Sequence, residues 1–198
     1  MDVEYIKNNY HFETLAEEHD LSDFSCDSDD LNDFLKNDAL PQQKEKLNIT
    51  KLCVCEGEIV GFVSLLTDVL KLKLINDETV KLKIKNKLNI SSNNFIPAVK
   101  IGRFAIDKKY SKKGLGSYIL KSIIINLNNI SEDDVGFRFV VVEGYITAYH
   151  FYVDKNNFKS LVKDRRFVED IDNIIKRNPQ HTLYLYYDLN NLKRYASL

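Results

Sequence analysis

Between Arg103 and Leu120 the chain reads RFAIDKKYSKKGLGSYIL: an apolar alternation, a cationic turn that holds two glycines, and the start of a long apolar run. The chain has only seven glycines in 198 residues, yet Gly114 and Gly116 stand within three positions of each other. A strand that ends at Asp107, a glycine-bearing loop and a buried helix that begins at the second glycine make a strand–turn–helix unit. Such a unit belongs to a sheet with helices packed on it. The helix start points unpaired backbone N–H groups at the loop, an arrangement that attracts anions. Glycine would let a diphosphate approach the backbone without a Cβ in the way, and Lys112 and Lys113 add charge beside it. The same Gly-x-Gly spacing also serves plain turn chemistry. No GxxxxGK[ST] is present, and GxGxxG cannot be placed on two glycines, so the commonest nucleotide-phosphate loops are excluded.

The rest of the chain fits one globular unit. A length of 198 residues exceeds the usual mode for one domain but falls short of two, so residues 1–198 are read as a single domain. The 11 Phe and 11 Tyr can fill its core. Twenty-eight basic residues against 29 acidic ones leave a net charge of −1, which argues against a dedicated nucleic-acid coat. MDVEYIKNNY lacks the charged and apolar regions of a leader, and nowhere do 18 apolar residues run uncharged, so a cytoplasmic protein with no membrane partner is expected. Cys26, Cys53 and Cys55 read as small buried hydrophobes, because no second pair or nearby histidine completes a metal site.

Hydrophobic spacing gives the remaining elements. Residues 1–20 suggest an edge strand. Ser28, Asp29 and Asp30 precede Leu31, Phe34, Leu35 and Ala39 at helical spacing, which predicts a helix over 28–40 ended by Pro41. ITKLCVC and IVGFVSLL flank Glu56-Gly57-Glu58 as a hairpin with strands near 49–55 and 59–67. A helix is expected at about 77–88, and a strand after Pro97. Later come a heavily buried helix from the glycines onward, a strand in FRFVVVEGY, a short helix in TAYHFYVDK and a strand in TLYLYYDL. RRFVEDIDNIIKRNP reads as a charged surface excursion.

GRFAIDKKYSKKGLGSYIL resembles the acetyl-CoA signature of the GNAT N-acetyltransferases, a strand followed by Q/R-x-x-G-x-G/A and a helix. Ser111 takes the Gln/Arg position, a departure from the pattern, and Gly114 and Gly116 take the glycines. FVVVEGYITAYHFYVDKNNFK is similar to the family's second half, A-x-x-F/L-Y-x-x-x-G-F, through Ala148, Phe151, Tyr152 and Phe158, with Asn157 replacing its glycine. LSDFSCDSDDLNDFLKNDA and IPAVKIGRFAID resemble the branch that contains the toxins of toxin–antitoxin pairs. The resemblance spans about residues 20–160.

It implies an α/β fold: a mixed central sheet of six to seven strands, with splayed central parallel strands and helices on both faces. Acetyl-CoA would be the co-substrate, with no metal. Its pantetheine arm would pair with the strand edge at Phe104, Ala105 and Ile106, and its diphosphate would lie on Ser111, Lys112, Lys113, Gly114, Leu115, Gly116 and Ser117. Tyr152 would protonate the leaving thiolate, for which an ordinary phenol pKa of about 10 is suited. Glu143 is a candidate acceptor of the amine's proton, against the reading of an ordinary strand-end acid. The lysines at 71, 73, 81, 83, 85 and 87 are read either as a solvated face or as a rim for tRNA phosphates. The partners implied are an amine acceptor, tRNA in the toxin branch, a small antitoxin and a second copy in a homodimer. Three activities stay open on these residues: a toxin-like enzyme acetylating aminoacyl-tRNA, a metabolic acetyltransferase for a small molecule or protein amine, and a non-catalytic acetyl-CoA-binding module.

Overall fold

A computed structural model of the chain describes residues 1–75, 77–91, 94–161 and 170–192. The strands are β1 (His11–Thr14), β2 (Ile49–Cys55), β3 (Glu58–Lys71), β4 (Phe95–Ile106), β5 (Phe139–Tyr145), β6 (Lys159–Ser160) and β7 (Thr182–Asp188). They form a mixed sheet in the order β1-β2-β3-β4-β5-β7-β6. β1–β2, β2–β3, β5–β7 and β6–β7 pair antiparallel. A helix, α5 (Leu115–Asp133), carries the chain from β4 to its sheet neighbour β5. Such a crossover makes those two strands parallel. The chain divides into two compact units, Met1–Leu66 with Ile101–Ile123, and Thr67–Lys100 with Ile124–Leu198.

In the first unit the chain opens with a helix, α1 (Val3–Asn9), capped by the Asp2 carboxylate on the Tyr5 N–H. The expected edge strand is confined to β1, because Asp2 and Glu4 supply the start signals of a helix. The helix expected over 28–40 is longer and irregular. α2 (Asp29–Asp33) runs through a π-helical turn, Phe34–Asp38, into α3 (Ala39–Lys44). Pro41 does not end it. It lies in the first turn of α3, where a missing N–H and a fixed φ are tolerated. This arm lays Phe34, Leu35 and Ala39 against Leu52, Val54, Phe62 and Ala105. Each large side chain so buried contributes about 1.5–3 kcal/mol. The β2–β3 hairpin turns on Glu56 (φ 50°) and Gly57 (φ 77°), the left-handed pair that a two-residue turn needs. All three cysteines are free and buried.

The second unit has its own core of Leu70, Leu72, Ile75, Val80, Ile84, Ile96, Ala98, Phe139, Val141 and Tyr186. The helix α4 (Glu78–Leu88) supplies Val80 and Ile84 to it, capped by Asp77 on the Val80 N–H at 3.1 Å. Pro97 lies inside β4 instead of preceding it. At the far end of β7, the buried Asp188 takes a two-point hydrogen bond from Arg138, at 3.1 and 2.9 Å. α6 (Tyr149–Tyr152) follows β5 through a single 3-10 turn. Of the charged excursion, residues 165–169 lie outside the described residues, and Ile171–Arg177 form a helix, α7. α5 is amphipathic: Leu115, Ile119, Leu120, Ile123, Ile124 and Leu127 are buried, while Tyr118, Ile125 and Ile130 remain exposed. Its apolar residues therefore exceed the stripe that packing uses.

Candidate functional site

The turn after β4 is held at its root by Asp107. This residue is 1% exposed. Its carboxylate accepts the Ser25 N–H at 3.0 Å and the Lys109 N–H at 2.8 Å. Its own N–H donates to the Val60 carbonyl on β3, and its carbonyl accepts the Tyr110 N–H, both at 2.9 Å. The Lys108 N–H donates to the Ser25 carbonyl at 2.8 Å, so the segment before α2 is tied to the same turn. Lys109 and Tyr110 both bond Glu58, at 2.8 and 2.9 Å. Sequence reasoning identified Asp107 only as the strand's end. The signal was an Asp two residues before an amide that it can accept, a pattern typical of turns.

Beyond that root the turn opens to water. Lys112, Lys113 and Gly114 are exposed, and Leu115 is buried as the first residue of α5. Lys112 (φ 60°) and Gly114 (φ 85°) are both left-handed, with Lys113 between them. Alternation of this kind curves successive amides toward one concave side, where an anion can sit. A Cβ built on Gly114 would meet nothing within 4 Å, so its glycine answers a backbone demand and not a packing one. The Ser111 hydroxyl donates to the Lys108 carbonyl at 3.3 Å, closing the turn on itself. The Lys113 ammonium does the same to the Lys109 carbonyl at 3.0 Å. Lys112, 86% exposed, pairs with Asp27 at 3.4 Å, a contact that water and salt weaken. Gly116 and Ser117 lie in the first turn of α5, and Phe104, Ala105 and Ile106 end β4. In this unit that half of β4 lies so close to β3 that a Cβ on Gly61 would sit 2.8 Å from the Ala105 carbonyl oxygen.

A cleft of about 380 Å³ in the same unit is lined by Asp20, Asp23, Glu56, Glu58 and Lys109, among others. Four carboxylates against one ammonium suit a diphosphate poorly.

The second unit holds Tyr152, the last residue of α6 and 7% exposed. Its ring meets Phe151 at 4.9 Å and Phe158 at 5.3 Å between centroids, both edge-on. The Phe158 N–H donates to the Tyr152 carbonyl at 3.0 Å, which locks the chain reversal after α6. Asn157 in that reversal adopts φ 60°, the conformation for which a glycine is commonly used. On its other side the ring approaches Gly144 on β5: a Cβ there would lie 3.6 Å from Cε2. Burial pushes the Tyr152 phenol well above its ordinary pKa, so the hydroxyl keeps its proton throughout the physiological range.

The remaining candidates are engaged elsewhere. Glu143 accepts from the Lys100 ammonium at 2.8 Å. Lys100 in turn lies 5.5 Å over the ring of Tyr184, whose hydroxyl bonds Asp68. His150 is held between Asp154 at 2.6 Å and Asp172 at 3.0 Å, and these carboxylates, Asp154 foremost, raise its pKa. The two acids that interrupt the lysine run are committed as well: Asp77 caps α4 and pairs with Lys159, and Glu78 pairs with Lys81. Among the described residues no group of His, Cys, Asp or Glu could hold a metal ion, and no helix is long and apolar enough to cross a membrane.

No known family model matches the chain. Over 140 residues it is 23% identical to a tRNA-acetylating toxin of Mycobacterium tuberculosis (strain ATCC 25618 / H37Rv), covering 70% of this chain and 78% of the relative. Among solved structures, AtaT complexed with acetyl-methionyl-tRNAfMet superposes with a TM-score of 0.71 at 19% identity, covering 93% of this chain and 97% of AtaT. A tyrosine-to-phenylalanine mutant of the AtaT toxin, bound to the C-terminus of the antitoxin AtaR and acetyl-CoA, superposes with a TM-score of 0.64 at 20% identity, covering 92% of this chain and 94% of that one. The expected architecture is therefore present: the chain has the GNAT fold, with a seven-stranded mixed sheet.

Proposed function

We propose that residues 1–198 form one acetyl-CoA-dependent N-acetyltransferase domain of the toxin type. It acts in the cytoplasm on the α-amino group of an aminoacyl-tRNA and is restrained by a small antitoxin. The observation that carries this reading is the open, cationic, doubly left-handed turn at the end of β4 in a GNAT fold. The 23% likeness to a tRNA-acetylating toxin supports the acceptor class. The AtaT structures with acetyl-methionyl-tRNAfMet and with AtaR and acetyl-CoA support the partners.

Acetyl-CoA supplies an activated acetyl thioester. Lys112, Lys113 and the amides from Ser111 to Ser117 hold its diphosphate, Gly114 and Gly116 keeping that backbone bare. The edge at Phe104, Ala105 and Ile106 takes the pantetheine arm as an added strand. Transfer is largely a matter of positioning, since a neutral amine already attacks a thioester once aligned. Tyr152 gives its proton to the departing thiolate. The phenol carries its proton at neutral pH, and burial raises its pKa and makes it a weaker acid than a solvated one. Glu143 is already engaged by the Lys100 ammonium at 2.8 Å, so it is given no part in the transfer. The amine proton then leaves to water, which the weakly basic α-amino group of an aminoacyl ester permits.

The test is incubation of the purified protein with acetyl-labelled acetyl-CoA and total charged tRNA. Label should appear in the RNA fraction and be released by mild alkali, which cleaves the aminoacyl ester. Label that reaches only small amines or protein would overturn the acceptor class.

A further inference from the structure

Resting on the reading of the Ser111–Ser117 turn as the diphosphate seat, we infer that Asp107 is a positioning residue that sets this turn for the cofactor. A carboxylate 1% exposed is costly to desolvate unless hydrogen bonds replace water. Asp107 is compensated by two amides on opposite sides. The Ser25 N–H reaches one oxygen from the segment before α2, and the Lys109 N–H reaches the other from the turn itself. Charge-assisted bonds of this kind are short and directional. With the backbone bonds to Val60 and Tyr110, they fix the chain's exit from β4 in a single direction.

The geometry selects carboxylate over amide. Both oxygens of Asp107 accept, so an asparagine would keep one bond and turn its NH2 toward the other N–H donor. One backbone donor would then be buried and unpaired, and the root of the turn would be free to rotate. Lys112 and Gly114 lie only five and seven residues downstream. They are exposed: Lys112 pairs with the exposed Asp27, and the Gly114 carbonyl accepts the Tyr118 N–H of α5 at 3.2 Å. The turn is thus anchored at both ends, by α5 at Gly114 and by Asp107 where it leaves β4, and the Ser111 and Lys113 bonds that close it run back to Lys108 and Lys109, beside Asp107. The same carboxylate ties in the segment around Ser25, from which α2 departs, so a merely structural role is the competing account.

The two accounts separate when ligands with and without the diphosphate are compared. Calorimetric titration of the wild type with coenzyme A and with pantetheine gives a reference ratio of affinities. In Asp107→Asn, coenzyme A should weaken about tenfold or more while pantetheine changes less than twofold. Equal loss of both ligands, or of neither, would overturn the inference. A wild type that binds coenzyme A no better than pantetheine would instead overturn the diphosphate seat. Should the variant not fold, amide exchange on the wild type decides. Coenzyme A, but not pantetheine, should slow exchange at Ser25 and Lys109 together with Lys112 to Gly114. Protection confined to Lys112 to Gly114 would refute the role of Asp107.

Discussion

Lys112, Lys113 and Gly114 stand in water at the end of β4, whereas Tyr152 keeps 7% of its surface and is walled by Phe151, Phe158 and Gly144. One region is built from backbone conformation and exposed charge, the other from aromatic packing. The turn needs the right φ angles more than particular side chains, so Ser111 in place of Gln or Arg is tolerable there. The nook around Tyr152 has no such latitude. Burial raises its phenol's pKa, so anything that lets water in makes it a stronger acid.

The contrast can be tested from its strong end to its weak one. Tyr152→Phe removes only the hydroxyl and should lower the transfer rate about 10²- to 10⁴-fold in single-turnover assays. Affinity for coenzyme A should hardly move. Equal loss of affinity would mean that the ring, and not its proton, is what matters. The same variant reports on burial. A phenol whose folded pKa lies above its unfolded value of about 10 contributes stability that is full below pH 10 and is lost as pH rises beyond it. Above about pH 10 the melting temperature should therefore fall as pH rises, less steeply in Tyr152→Phe.

At the turn the effects are smaller. Gly114→Ala meets no atom within 4 Å and pays only for φ 85°, on the order of 1 kcal/mol in denaturant titrations. Coenzyme A affinity should weaken several-fold, without the rate defect of Tyr152→Phe once ligand saturates. Lys112→Ala should leave stability unchanged and weaken coenzyme A a few-fold at low salt. The difference should fade near about 0.5 M salt, because an exposed ammonium acts through a screened field. A salt-independent defect would place Lys112 in a desolvated contact and blur the distinction between the two regions.

Much of the fold was legible because its signals are local. The two-residue hairpin at Glu56-Gly57, the Asp77 cap of α4 and the strand–turn–helix around Gly114 are each dictated by a few neighbouring residues. The misreadings are equally particular. Pro41 looked like a stop, but the π-helical turn before it and the packing of Phe34 and Leu35 on Phe62 carry the helix through. Residues 3–9 alternate like a strand, but the Asp2 cap on the Tyr5 N–H starts a helix there. Glu143 bonds Lys100, 43 residues away, a partner that no local pattern names.

The sequence by itself determined where the chain turns, which residues repeat on an apolar face, and that glycines and lysines gather after a strand. Backbone preference and side-chain periodicity act over a handful of residues and are written in order along the chain. Only the tertiary structure decided that Asp107 is buried between Ser25, 82 residues away, and its own turn, and that Tyr152 is buried against Phe151 and Phe158. Desolvation and hydrogen-bond pairing depend on what the fold brings alongside, and no local pattern specifies those neighbours.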